Sequence, residues 1–349
     1  MRRRRSLMLS RNKLINTVRK VDIRHIKGKR GSTVAFLKKK PSAKICVIRS
    51  VGGIGDILMI TPSLMEIKKR FPKCILTFAV DRHTTNGDTY YELLKNAPFI
   101  DRLIDARYVK HNTFDHTIDI SSVCIGYERR GLPPRNRISI FADHLGLTYL
   151  DDKVPFYSIH PEERGLARDL VASFRGDSNY VVMISVGSME GRRCWPQAKE
   201  EKWPEFVRHL RSRVPGIKFI VNDFTNKARS LAKLPYVLYL ENTSVRQLAA
   251  ITDECDYFVG PDSGPMHIAG ALGVPSSVIF GSIPPEARIN FYPSHSSITV
   301  GSLPCLGCWY AHCPYNVKCM RDLTVLSVAE QVRSKLLGAK YAKKKASKL

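Results

Sequence analysis

The sequence Tyr257–Gly281, YFVGPDSGPMHIAGALGVPSSVIFG, decides the fold. Its first three residues are apolar and β-prone, and they predict the end of a buried strand, which Gly260 and Pro261 interrupt. An apolar helix follows, and Ser276–Phe280 predicts the next strand. A strand, helix and strand joined by short connections are typical of a parallel α/β sheet.

The loop before this helix, Asp262-Ser263-Gly264, is a candidate anion site. Backbone N–H groups without partners and the positive end of the helix dipole meet at a helix N-terminus, so a phosphate is the expected ligand. Asp262 and Ser263 are also ordinary helix-capping residues, and Gly273 predicts a left-handed turn that ends the helix. The residues alone leave a ligand site and a structural cap equally open.

Two stretches resemble signatures of glycosyltransferase family 9, the lipopolysaccharide heptosyltransferase family. Residues 261–281 are similar to its C-terminal signature. Arg49–Pro72, RSVGGIGDILMITPSLMEIKKRFP, is similar to its N-terminal signature, with the Gly-Asp and Thr-Pro pairs in the expected places. The two stretches stand in the family's order, so the resemblance extends from about Lys44 to Val332.

Strands alternate with helices in two successive parts of the chain, which predicts an α/β protein with two Rossmann-like domains. The resemblance implies the GT-B architecture, in which two such domains face a central cleft. The expected organisation is a basic N-terminal extension at 1–43, an acceptor domain at 44–150, a linker and connecting helix at 151–178, a nucleotide-sugar donor domain at 179–338 and a basic tail at 339–349.

Most of the net charge of +25 lies at the two ends of the chain. Residues 1–44 contain sixteen Lys and Arg against one acid, and residues 339–349 contain five Lys and no acid. A basic amphipathic segment is typical of attachment to an anionic membrane surface, and we expect a cytoplasmic protein peripheral to the membrane. A solvated tail without a role, a nucleic-acid-binding arm and an organelle transit peptide remain alternatives.

Asp56 is the candidate catalytic residue. It follows the glycine-rich turn Gly52–Gly55 at the C-terminal end of the first predicted strand, where ligands of open α/β sheets bind. A carboxylate there can take a proton from a hydroxyl group, although the same residue could simply cap a helix. The resemblance implies that Asp56 is the catalytic base, with Gly53 and Gly55 on the acceptor side.

A second group of residues is expected to bind the donor. The resemblance places Gly187 and Ser188 at the family's pair of small residues and Arg193 at its basic position before Trp-Pro. A guanidinium there could bind a diphosphate through two hydrogen bonds, with Arg192 or a purely surface role for the arginine as alternatives. The donor residues that the resemblance implies in the C-terminal signature are Asp262, Ser263, Gly264, Met266 and His267. His267 could equally be a helix residue without a ligand.

The residue near the donor ribose differs from the family pattern. The family has an acidic residue there, whereas this sequence reads Asn222-Asp223-Phe224-Thr225-Asn226. Asn226, or less well Asp223, occupies the position, which leaves the nucleotide base open.

Four of the nine cysteines lie close together near the C-terminus: Cys305, Cys308, Cys313 and Cys319. Their spacing, C-x2-C-x4-C-x5-C, fits a structural zinc site, and a redox staple or plain buried thiols are the alternatives. We expect no catalytic metal, because GT-B enzymes generally need none.

The resemblance implies an inverting glycosyltransferase. It would move a heptose from ADP-heptose, or another sugar from a nucleotide diphosphate, to a lipopolysaccharide core or other glycolipid, without a cofactor. A glycosyltransferase acting on nucleic acid is one alternative. The other is a non-catalytic module that binds nucleotide sugars, which the presence of Asp56 disfavours.

Overall fold

The structure is a computed structural model that describes residues 30–82, 87–128, 133–195, 202–309 and 313–346. The described chain contains two sheets of parallel strands, one of four strands in the N-terminal half and one of six in the C-terminal half. All recorded strand pairs are parallel, which confirms the predicted α/β class. Continuous apolar runs explain the parallel strands, because helices cover both faces of such sheets.

The N-terminal domain is built on the sheet β3-β2-β1-β4. Its strands are β1 (Lys44–Arg49), β2 (Ile75–Val80), β3 (Arg102–Asp105) and β4 (His116–Asp119). Its helices are α1 (Ser32–Lys39), α2 (Ile54–Met59), α3 (Thr61–Arg70), α4 (Gly87–Leu94), α5 (Val123–Glu128) and α6 (Arg137–Leu145). A connecting helix, α7 (Pro161–Arg175), leads to the second sheet.

The C-terminal domain is built on the sheet β10-β9-β8-β5-β6-β7. Its strands are β5 (Tyr180–Ser185), β6 (Ile217–Asn222), β7 (Val237–Leu240), β8 (Tyr257–Pro261), β9 (Ser276–Ile279) and β10 (His295–Ile298). Its helices are α8 (Lys202–Arg213), α9 (Val245–Asp253), α10 (Gly264–Ala271), α11 (Lys318–Arg321) and α12 (Val325–Ala346).

The ends of the chain differ from the expected boundaries. Helix α1 buries Val34 and Leu37 in the core of the N-terminal domain, and the Phe36 ring stacks on His116 of β4. The expected extension at 1–43 therefore ends earlier, because its last residues carry apolar side chains that the domain buries. The expected tail at 339–349 likewise begins inside helix α12. The amphipathic segment predicted near the N-terminus lies outside the described residues.

Three local predictions were wrong. Strand β8 continues through Gly260 and Pro261, because Gly260 and Pro261 still pair with β9. The residues after Asp56 predict a single helix at about Ile57–Phe71, but the structure has two helices, α2 and α3, which meet at Ile60 just before Pro62. The sequence also predicts a helix over Asn226–Leu234, where the structure has only a short 3₁₀ turn at Arg229–Lys233.

The two domains share one hydrophobic core, which joins α2, α3 and α6 to α9 and α10. Arg246 of α9 is nearly buried, pairs with Glu163 of α7 at 2.5 Å and donates to the carbonyl oxygen of Glu92 in α4. This arginine therefore ties the C-terminal domain to both the connecting helix and the N-terminal domain. Across the described part of the chain, no helix is both long enough and apolar enough to span a membrane.

Candidate functional site

The site lies where the ends of β1 and β8 face each other across the two domains. Helix α2 follows β1, helix α10 follows β8, and the two helices pack against each other. A Cβ atom on Gly55 would overlap the His267 ring, and one on Gly264 would lie 3.0 Å from Ile54 Cβ. The glycines at 55 and 264 therefore allow a closer approach of the two helices than any other residue would.

Asp56 lies at this junction and is 8% exposed. Its Oδ2 accepts from Gly53 N–H at 3.0 Å, while Oδ1 lies 3.1 Å from Arg49 Nη2 and 2.5 Å from Arg137 Nη1. Burial alone would raise the pKa of Asp56, but the guanidinium groups of Arg137 and Arg49 more than offset it. The pKa is held well below its usual range, so Asp56 is a carboxylate at neutral pH.

Glu128, at the end of α5, extends the charge network toward the C-terminal domain. Both of its carboxylate oxygens accept from Arg137, at 2.7 and 2.6 Å. Arg288 of the C-terminal domain lies 3.4 Å from Glu128 through Nη1 and 3.8 Å from Asp262 through Nε. Arg288 is 1% exposed and stacks over the Trp309 ring at 5.0 Å. A chain of alternating charges thus crosses from one domain to the other.

Asp262 is the carboxylate on the C-terminal side and is 2% exposed. Arg193 Nη1 lies 3.2 Å from its Oδ2, and within the described residues neither carboxylate oxygen has a hydrogen-bond partner. Burial would raise the pKa of Asp262, but Arg193 and Arg288 hold it below its usual value. Arg192, the alternative basic residue, pairs with exposed Glu190 and donates to a backbone carbonyl, so the structure brings Arg193 and not Arg192 to Asp262.

The start of α10 has no side-chain cap. Ser263 occupies the capping position, but its side chain makes no capping hydrogen bond, and its buried Oγ has no hydrogen-bond partner among the described residues. Of the two interpretations that the sequence left open for this loop, a structural cap and an anion site, the structure does not support the side-chain cap. Backbone N–H groups at this end remain available for an anionic group.

His267 is buried, and its ring is held by a neighbouring tyrosine. Its Nδ1 hydrogen-bonds the Tyr292 hydroxyl at 2.7 Å, and Nε2 lies 3.9 Å from Asp262 Oδ1. Burial lowers the pKa of His267 to about 3, although Asp262 opposes the shift. His267 is therefore neutral at physiological pH and contributes no positive charge to the site.

The remaining residues predicted for the site have structural contacts in the loops and helices around it. A Cβ on Gly187 would overlap Thr225, so this glycine lets the β5 loop lie against the β6 loop. Ser188 is nearly buried and donates its N–H to Cys194 Sγ at 3.3 Å. Met266 is fully buried in the core, and Gly53 is the N-terminal flanking residue of α2.

The two candidates for the ribose position differ in availability. Asp223 is buried, and its carboxylate already accepts hydrogen bonds from Thr225, Ala228 N–H and the Tyr239 hydroxyl. Asn226 is exposed and adopts a left-handed backbone with φ of 54°. The structure therefore leaves Asn226, and not Asp223, available to a ligand.

The cysteine cluster is brought together, but not as ligands of a common ion. Cys319 is buried, which raises its thiol pKa to about 11, and nearby Cys308, Cys313 and Cys305 add to the shift. None of the nine cysteines forms a disulfide, and none of the described side chains form a group of three or more that could hold a metal. The zinc site stays a prediction.

Four residues of the site went unpredicted: Arg49, Glu128, Arg137 and Arg288. Arg49 ends β1 directly before the glycine turn, which is a signal that could have been used. Its Nη1 donates to the carbonyls of Ile120 and Ser121 at 2.8 Å, so it is fixed in place. The sequence carries no comparable signal for the other three. Glu128 and Arg137 meet Asp56 through the packing of α5 and α6 within the N-terminal domain, and Arg288 reaches Glu128 only where the two domains meet.

This arrangement is suited to a displacement in which negative charge develops on a leaving group. Arg193, Arg288 and the N-terminus of α10 supply positive charge on one side, which stabilises such a leaving group. Asp56 supplies a carboxylate on the other side, where a hydroxyl group could lose its proton. Together these parts can hold a diphosphate and activate a hydroxyl.

Comparison with known proteins agrees with the geometry. Residues 135–317 match the family model described as glycosyltransferase family 9 (heptosyltransferase). Lipopolysaccharide heptosyltransferase 1 of Campylobacter coli is 23% identical over 301 residues, which cover 69% of this chain and 84% of that protein.

Solved structures of low sequence identity share the fold. The glycosyltransferase family 9 protein of Veillonella parvula superposes with a TM-score of 0.65 at 17% identity, covering 85% of this chain and 97% of that one. The ADP-heptose LPS heptosyltransferase II of E. coli superposes with a TM-score of 0.61 at 15% identity, covering 85% and 99%. The expected GT-B architecture is confirmed.

Proposed function

The chain belongs to glycosyltransferase family 9, and from this premise we propose that it moves heptose from ADP-heptose to a lipopolysaccharide core or related glycolipid. The observation that carries the proposal is the packing of α2, which contains Asp56, against α10 with its uncapped start at the junction of the two domains. The similarity to the lipopolysaccharide heptosyltransferase of C. coli and the ADP-heptose LPS heptosyltransferase II of E. coli supports lipopolysaccharide as the acceptor class and ADP-heptose as the donor.

In the proposed reaction, Asp56 Oδ takes the proton of the acceptor hydroxyl. The hydroxyl oxygen forms a bond to the anomeric carbon from the face opposite the leaving group, so the configuration inverts. The bond from that carbon to the diphosphate breaks, and the diphosphate leaves with the electron pair. Arg193, Arg288 and the N–H groups of α10 stabilise its charge, so we propose that no metal is needed for this step.

A transfer assay tests the proposal. The full chain would be incubated with ADP-heptose, and separately with UDP- and GDP-sugars, in the presence of vesicles that carry a heptose-free lipopolysaccharide core or, in a parallel reaction, of DNA. We expect transfer from ADP-heptose to the core lipid and no transfer to DNA. Transfer to DNA, or binding of every donor without turnover, would overturn the proposed acceptor or the proposed enzymatic role.

We further propose that the basic ends attach the enzyme to the anionic cytoplasmic face of a membrane. Each Lys or Arg near such a surface contributes about 1 kcal/mol of attraction. Deleting residues 1–29 should sharply reduce sedimentation with anionic vesicles and leave donor binding unchanged, because α1 begins only at Ser32. The full chain in high salt is the control, since screening should reproduce the loss. Equal sedimentation of both proteins would contradict this role.

A further inference from the structure

An unbroken line of ion pairs connects Asp56 in one domain to Asp262 in the other. Arg137 bridges Asp56 and Glu128, with Nη1 on the first and both Nε and Nη2 on the second. Arg288 then joins Glu128 to Asp262. Glu128 therefore contacts one arginine from each domain, although it lies outside the sequence motifs.

Arg288 reaches the two carboxylates only at long range, and its shortest hydrogen bond runs from Nη1 to the carbonyl oxygen of Ala287 at 3.1 Å. Its contact with Glu128 is 3.4 Å long and that with Asp262 is 3.8 Å, both longer than a normal charge-assisted hydrogen bond. Its Nη2 is buried without a hydrogen-bond partner in the part of the chain that the structure describes. A diphosphate beside the start of α10 would offer this guanidinium shorter contacts than it has now.

Asp56, by contrast, has close ion pairs with two arginines, and these pairs make its carboxylate a weak base. A general base works best when its pKa lies near the working pH, and here Arg137 and Arg49 hold the pKa far below that. Arg49 cannot leave, because it donates to two backbone carbonyls and lies 5.1 Å from the centre of the Phe141 ring. Arg137 is therefore the partner that must loosen before Asp56 can take a proton.

We propose that Glu128 is a positioning residue that couples donor binding in the C-terminal domain to the release of Asp56 in the N-terminal domain. When the donor diphosphate binds Arg288, Glu128 loses one of its two counter-charges. Glu128 then attracts Arg137 more strongly, and Arg137 moves away from Asp56. The base becomes competent only when a donor is present, and this inference rests on the proposed function.

The direction in which the pKa of Asp56 should change follows from the charges that face this residue. Cationic groups that move away from a carboxylate raise its pKa, and an anionic donor raises it further. Loss of Glu128 has the opposite effect, because Arg137 then has Asp56 as its remaining carboxylate. The charged and titratable groups around Asp56 are Arg49 on β1, Cys124 and Glu128 on α5, Arg137 on α6, His267 on α10, and Arg288.

The test is Glu128→Gln, which keeps size but cannot hold Arg137 by charge. We expect kcat to fall about tenfold at neutral pH, because Asp56 remains paired with Arg137 and is a weaker base. The acid limb of the kcat profile should move to lower pH, and the dissociation constant of ADP should stay within about twofold. Glu66→Gln is the matched control: the Glu66 side chain is 6% exposed against 11% for Glu128, and it pairs with Arg70 of the same helix, α3, at 2.6 Å.

Each outcome decides a different point. A Glu128→Gln variant whose kcat and acid limb match those of Glu66→Gln would make the Glu128 network purely structural and overturn the coupling alone. Absence of sugar transfer by the wild-type chain would overturn the proposed function, and the coupling with it. If Glu128→Gln fails to fold, Glu128→Asp keeps the charge but shortens the reach to both arginines. We then expect a smaller fall in kcat, and wild-type behaviour of this variant would overturn the coupling.

Discussion

Replacing Asp56 by Asn should lower the rate of sugar transfer by about 10²–10⁴-fold, which is the usual contribution of a general base. Asparagine keeps the size of the side chain and can still accept from Gly53 N–H, but it cannot take a proton from the acceptor. Donor affinity should change little, because in the proposed reaction the diphosphate is held by Arg193, Arg288 and the start of α10 and not by Asp56. The measurement is the initial rate at saturating donor, together with the dissociation constant of ADP on the same preparation.

The same substitution should also reduce stability. Asp56→Asn leaves buried Arg49 without its carboxylate partner, which is costly inside a protein. The pKa of Asp56 is lowered in the folded state, so its contribution is full above its unfolded value of about 3.9 and is lost as the pH falls through the folded pKa. The gap between wild type and variant in the free energy of unfolding should therefore be largest near neutral pH and shrink in acid.

Asp256→Asn is the matched control for this variant. Asp256 also accepts from a backbone N–H, that of Val181, and pairs with an arginine, Arg175, but it lies before β8 at the opposite end of the sheet. We expect a modest loss of stability and a normal transfer rate. Near-normal turnover of Asp56→Asn would mean that another residue is the base.

Replacing Arg193 by Ala should weaken donor binding about ten- to hundredfold, since a charge-assisted hydrogen bond contributes roughly 1.5–3 kcal/mol. Arg193 lies beside Asp262, and its buried Nε has no hydrogen-bond partner among the residues described, so it can turn to a phosphate. Arg193→Lys should recover part of the affinity, because lysine keeps the charge but not the planar fork. Titration calorimetry with ADP gives the affinity directly.

Arg192→Ala is the control for this arginine. Both arginines pair with Glu190, and Arg192 also donates to the carbonyl oxygen of Trp309, but Arg193 is the one that lies beside Asp262. Loss of Arg192 should therefore change ADP affinity by less than about twofold. The opposite result, a silent Arg193→Ala with a damaging Arg192→Ala, would mean that this loop binds the donor in a different arrangement.

Strands that are buried along nearly their whole length could be predicted from the sequence. The largely apolar runs Ala43–Ser50, Ile75–Val80 and Tyr180–Val186 predict strands, and β1, β2 and β5 lie within one residue of these bounds. Strands β7 and β10 were missed: β7 is only half-buried, and β10 reads His-Ser-Ser-Ile at a sheet edge. Such strands form because a neighbour offers hydrogen bonds, which the local sequence does not reveal.

Some residues of the candidate site could be predicted from the sequence and others could not. Asp56, Arg193 and Asp262 stand next to strand ends, and parallel topology brings strand ends together, so sequence could place them. Glu128 and Arg288 are 160 residues apart and meet only because two domains close on each other. Their roles depend on the distance between domains, which no local pattern encodes.

The contact between Gly55 and His267 gives one position control over the width of the cleft. Glycine inside a helix costs about 0.5–1 kcal/mol relative to alanine, so α2 would be a better helix without it. Gly55 does not have a left-handed backbone that would require glycine. What offsets the loss of helix stability is the close approach of α2 to α10. The absence of a side chain at Gly55 therefore sets how near α2, with Asp56, can come to the N-terminus of α10.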